Sequence, residues 1–137
     1  MTRLEFHELA GEKRARELAG LVDRLYRDGR RVVIWVADPG RLRILDDYLW
    51  TFEKLAFVPH AIWVDGGQVD EAVVLAAEPV AGHDADTLVV GDGLPPGEWI
   101  ATFDEVHDLI PPGDAGDRRR EFWQGWRDEF GGGESGG

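Results

Sequence analysis

Arg31-Val32-Val33-Ile34-Trp35-Val36-Ala37, followed at once by Asp38-Pro39, decides the fold. Every residue from Val32 to Val36 is β-branched or aromatic, the composition of a strand covered by helices on both faces and so of a central parallel strand. Asp38 then offers an N-cap carboxylate and Pro39 a first-turn proline, so the strand runs straight into a helix whose inner stripe is Leu42, Leu45 and Leu49, continued by Trp50. Upstream, Leu18, Leu21, Val22, Leu25 and Tyr26 recur at helical spacing between Glu12 and Asp28, and Gly29 follows as a C-terminal cap. Residues 3 to 9 alternate, with Leu4 and Phe6 opposite Arg3, Glu5 and His7, as a strand does. The first fifty residues therefore read β-α-β-α.

Downstream, short strands are expected at Ile62–Val64, Ala72–Ala76 and Thr87–Val90, and a last one within Trp99–Ile110 before Pro111-Pro112-Gly113. Asp65-Gly66-Gly67 and the Gly91–Gly97 stretch read as turns. A final helix is expected from about Asp114 to Phe130, with Phe122, Trp126 and Phe130 at spacing four. Residues 131–137, almost all glycine, bury nothing and are expected to be disordered. Alternating strands and helices imply a single α/β domain over residues 1–130, a three-layer Rossmann-like sandwich with a mostly parallel sheet.

Composition narrows the function classes. The chain has 137 residues, enough for one core, and no cysteine, which removes disulfides, thiolate nucleophiles and Cys-based zinc sites together. A formal net charge of −12 opposes direct binding to a phosphate backbone, whose affinity comes from Lys and Arg displacing counterions. No apolar run approaches bilayer length and Met1–Leu9 is not laid out as a signal peptide, so a cytoplasmic protein is expected.

The motifs of catalysis are sparse. The turn His7–Glu12 carries one glycine and two acids, and Ala37-Asp38-Pro39-Gly40 has neither a glycine fingerprint nor a P-loop lysine, so neither turn suits a pyrophosphate. His83, Asp84 and Asp86 could hold Mg²⁺, but they precede a strand, whereas catalytic acids in such sheets follow one. Asp104-Glu-Val-His107-Asp108 puts Glu105 and His107 on one strand face and Asp104 and Asp108 on the other, an acid beside a base with no nucleophile in reach. A small metal-dependent phosphotransfer or nuclease-like enzyme built on these acids is the alternative reading, and a bare structural scaffold is a third. No cofactor or resident metal is expected. His60, after Pro59, reads as a residue that fixes its own loop.

Two interaction surfaces remain. Leu45–His60 (LDDYLWTFEKLAFVPH) crowds Trp50, Phe52, Phe57 and Val58 at a helix end, more apolar surface than one core stripe uses. In the last helix Arg118, Arg119, Arg120 and Arg127 concentrate positive charge in an acidic chain, and Arg120, Trp123, Gln124 and Arg127 share a face. Guanidinium groups flanking an indole suit an acidic peptide ending in an apolar residue. The competing reading is that Trp123 and Trp126 pack the helix down while the arginines balance nearby acids.

Leu45-Asp46, Leu49-Trp50 and Phe57-Val58-Pro59-His60, then Phe103-Asp-Glu-Val-His-Asp-Leu-Ile-Pro111, Arg120-Glu121 and Trp123-Gln-Gly-Trp126-Arg127, resemble the chi subunit of bacterial DNA polymerase III, a clamp-loader accessory protein. The resemblance implies an adaptor without enzyme activity. Such a protein binds the acidic, Phe-terminated tail of single-stranded DNA-binding protein (SSB), here with Arg120, Trp123 and Gln124 and with Arg118 and Arg127 beside them. It also implies a second face, here Trp50, Phe52, Phe57 and Val58, for a psi subunit or an equivalent clamp-loader protein. Gln124 stands where the family's pattern can carry a lysine, which removes one charge an acidic tail would use.

Overall fold

The computed structural model describes residues 2–9, 14–52, 58–63, 71–80 and 85–131. Along the chain these form β1 (Arg3–Glu8), α1 (Arg14–Arg27), β2 (Val32–Val36), α2 (Pro39–Thr51), β3 (His60–Ile62), β4 (Val73–Ala76), β5 (Thr87–Asp92), α3 (Gly97–Ile100), β6 (Glu105–Ile110) and α4 (Asp114–Phe130). The six strands make one sheet in the order β1-β6-β5-β2-β4-β3. Every pairing in it is parallel.

β2 is buried along its whole length in the middle of the sheet, because it has no polar side chain to turn toward water. α2 starts where Asp38 accepts a hydrogen bond from the Gly40 N–H at 2.8 Å, with Pro39 in the first turn. Helices cover both faces. On one, Leu18, Leu21, Val22 and Leu25 of α1 and Leu42 and Leu49 of α2 meet Val32, Ile34 and Val36. On the other, Trp99 and Ile100 of α3 and Trp123 and Trp126 of α4 meet Val33, Trp35, Leu88, Val90 and Val106. The result is the three-layer α/β sandwich expected from the sequence.

Two expectations need revision. Trp99–Ile110 is not one strand: a helical turn occupies Gly97–Ile100, and only Glu105–Ile110 is extended. Trp99, Ala101 and Phe103 fall at alternate positions, but the Ile100 N–H bonds to the Pro96 carbonyl and the Thr102 hydroxyl to the Trp99 carbonyl, which closes the chain into a turn. β3 begins earlier than expected, at His60, because its pairing with β4 starts opposite Val73. Glu12, Val64 and residues 132–137 lie outside the described residues.

α4 comes unusually close to the end of β6. Gly116 allows this, since a Cβ there would overlap the Pro111 carbonyl oxygen.

Candidate functional site

The position of α4 is set by one carboxylate. Asp108 is completely buried on the α4 side of β6. It accepts hydrogen bonds from Arg119 Nε at 2.9 Å, Arg119 Nη2 at 2.6 Å and Trp123 Nε1 at 2.7 Å. Arg14 stands 3.9 Å away on the opposite flank. A buried charge needs this many donors, and only one helix phase supplies them. With Arg119, Trp123 and Trp126 turned inward, Arg120, Gln124 and Arg127 are turned out, toward β1.

The outward face is not the one sequence spacing suggested. Trp123 is 1% exposed and its indole N–H is already engaged, so its ring is not available to a partner's apolar residue. The ring between the guanidinium groups is instead Phe6 of β1, with Arg120 at 6.0 Å and Arg127 at 5.8 Å from its centroid. Phe6 is half-buried and packs on Trp123 from the other side, at 6.1 Å. Arg120 also bonds the Glu8 carboxylate at 2.6 Å. A cavity of about 260 Å³ opens next to it, between Leu9, Ile110, Pro111 and Gly116. Arg118 lies about 200° round the helix from Arg120 and does not join this face. Gln124 is exposed and donates to Asp128 at 3.1 Å.

The second predicted surface also divides. Trp50 is 49% exposed and its ring lies 3.9 Å from that of His60. Phe52 is half-buried against Tyr48 at 6.0 Å. Val58 belongs to the core and is lost from the surface, because the turn into β3 points it at the α1/α2 layer. Phe57 lies outside the described residues. His60 holds its loop as expected, through Nδ1 and the Val58 carbonyl at 2.7 Å. Its Nε2 faces Asp46 Oδ1 at 4.0 Å, and burial raises the Asp46 carboxyl above its ordinary value, partly offset by His60.

Of the acids considered for catalysis, Asp86, Glu105 and Asp108 have structural partners. Asp86 accepts from the Thr87 hydroxyl at 2.7 Å and the Arg31 N–H at 3.3 Å. His83 and Asp84 lie outside the described residues. Glu105 and His107 are neighbours as expected, at 2.7 Å, and His7 of β1 joins them at 2.8 Å. Since Glu105 accepts from His107 Nε2, the other nitrogen of His107 accepts from His7. Burial drives His107 down to about 4, Glu5 opposes this, and Arg3, Arg30 and Arg24 reinforce it. Among the described residues no group of three or more His, Asp or Glu side chains is placed to hold a metal ion. At the carboxyl ends of β5 and β6 the Arg14 side chain donates to the carbonyls of Gly91 and Leu109, each at 2.8 Å, across the edge where α/β folds bind ligands.

A family model described as DNA polymerase III chi subunit, HolC, matches residues 1–130. The chain belongs to the chi-subunit family. A chi-family relative, DNA polymerase III subunit chi of Pseudomonas aeruginosa, is 27% identical over 113 residues, which is 80% of this chain and 78% of that protein. Membership carries a replication accessory role. In this chi-family fold the second block of resemblance is β6 with α4, the pair that Asp108 locks together, and the first is the end of α2 with the entry to β3. Phe6 and Glu8 escaped the sequence reading, since no local signal joins β1 to a helix more than a hundred residues later. The alternation of β1 did place Phe6 and Leu4 together on one face.

Proposed function

We propose that this chi-family chain is a non-enzymatic adaptor of the DNA polymerase III holoenzyme that holds the acidic C-terminal tail of SSB on the β1/α4 face. The observation that carries this reading is Phe6 lying between Arg120 and Arg127 beside the cavity at Ile110 and Pro111. Tail carboxylates would pair with the two guanidinium groups, and a terminal apolar side chain would enter the cavity. Gln124 adds a neutral hydrogen-bonding edge, Trp123 supports Phe6 from below, and Arg118 contributes only at long range. The clamp-loader link belongs to the opposite surface, where Trp50 is exposed and Phe52 is half-buried, with Phe57 assigned to it by sequence, for a psi subunit or an equivalent protein. Val58 underlies that surface. The setting is cytoplasmic, and among the described residues no helix is long and apolar enough to cross a membrane.

Titration of the full chain with a tail peptide, with and without its terminal Phe, tests this. Affinity of order micromolar is expected, corresponding to about 8 kcal/mol, and it weakens with salt because part of it is charge pairing. Loss of binding on Arg120→Ala and on Phe6→Ala supports the site, whereas binding indifferent to both removes it.

A further inference from the structure

α4 has a second exposed side, carrying charge of the opposite sign. There α3 and α4 enclose an open groove of about 660 Å³. Its charged residues are all acids: Glu98 of α3 and Glu121 and Glu129 of α4. Among the described residues none of the three is ion-paired. Arg118, one turn earlier on this side of α4, does not line the groove.

The floor is aromatic. Trp126 is anchored by its Nε1–H to the Gly97 carbonyl at 2.9 Å, and Phe130 stacks on it at 5.7 Å with 37% of its surface exposed. Gly97 permits the stack, since a Cβ there would come within 2.8 Å of the Phe130 ring. Gly125 leaves a notch in the wall, with nothing within 4 Å of where its Cβ would be. Unpaired carboxylates beside the exposed Phe130 ring attract guanidinium, which can pair with the acids and lie on the ring. They repel phosphates and therefore nucleic acid or an anionic membrane. Residues 132–137 bring glycine, one serine and Glu134, with neither a cation nor an apolar side chain to fill the groove. A second copy, itself at −12, is disfavoured by charge repulsion.

We propose that the α3/α4 groove docks an arginine-bearing segment of a partner protein, with guanidinium over Phe130 between Glu98 and Glu129 and an adjacent apolar side chain in the Gly125 notch. It is independent of the face proposed for the acidic tail, so the two partners can be held together.

The test uses the full ¹⁵N-labelled chain and a short capped peptide in which two arginines flank a leucine, compared with peptides carrying lysine or glutamine in place of arginine. Saturable shifts confined to α3 and the C-terminal half of α4 are expected with the arginine peptide, with weaker binding of the lysine peptide and none of the glutamine one. Glu98→Gln with Glu129→Gln should weaken binding about tenfold or more, and Phe130→Ala should do likewise. Gly125→Leu should block it without loss of helix signal, while Arg120→Ala leaves it unchanged. Shifts scattered over the acidic surface, equal binding of the lysine peptide, or indifference to both the glutamate and the Phe130 variants would overturn the proposal. So would concentration-dependent self-association abolished by Gly125→Leu.

Discussion

Acid should unfold this protein partly through one imidazole. Burial takes His107 from an ordinary 6.5 down to about 4 in the folded chain, so the unfolded chain binds the extra proton first. Between those two values the unfolded state carries more protons, and stability therefore rises with pH. The contribution is complete above the ordinary value, declines as pH falls through the interval, and levels off below about 4. An interval of about 2.5 pKa units corresponds to about 3 kcal/mol. Protonating His107 also places a second donor against the His7 Nε2–H, which breaks the 2.8 Å contact holding β1 to β6. His7, lowered first by burial and then by His107, acts with the same sign.

The perturbation is His107→Gln, whose amide can still donate to Glu105 and accept from His7 but does not titrate. Urea denaturation followed by far-UV circular dichroism, at intervals from about pH 7.5 to about pH 4, gives ΔG for both proteins. The wild-type curve should fall by about 3 kcal/mol more than the variant's across that range. Parallel curves would mean that His107 titrates in the folded protein as it does in the unfolded chain, and the burial argument would fail.

Other consequences follow from the same geometry. Arg119→Ala strips the bidentate partner from Asp108 and should cost toward the lower end of about 3–5 kcal/mol, because Arg14 stands 3.9 Å away to compensate in part; thermal and urea melts measure it. Trp123→Phe removes the indole donor to Asp108 and leaves a cavity beside it, so it should cost at least the about 1–3 kcal/mol of the lost partner in the same melts while tail binding at the exposed arginines persists. Glu8→Gln removes the carboxylate that competes for Arg120, and tail-peptide affinity by calorimetry should rise by a few-fold, corresponding to the roughly 0.2–1 kcal/mol of an exposed pair. Gly116→Ala forces α4 off Pro111 and should lower stability by about 1–3 kcal/mol, despite alanine's better helix propensity. Phe57→Ala should leave tail binding intact in a folded protein, since the proposed partner surfaces are on opposite sides of the sheet.

Sequence alone determined the elements whose cause is local. The β-branched run Val32–Val36, the Asp38-Pro39 helix start, the stripe of α1 and the extent of α4 follow from period, cap and composition, and the family resemblance rested on the same residues. Tertiary structure alone decided which way α4 faces. Arg119, Trp123 and Trp126 lie beside Arg120, Gln124 and Arg127 on the helix surface, and its periodicity leaves either set free to face inward. The choice fell to Asp108, a charge that the sheet buries and that only the first set can satisfy. That choice took Trp123 out of reach and turned Arg120 outward. Parallel pairing with β6 brought Phe6 up from the far end of the chain to stand between Arg120 and Arg127. A site assembled from elements a hundred residues apart is written in strand order, which no local pattern encodes.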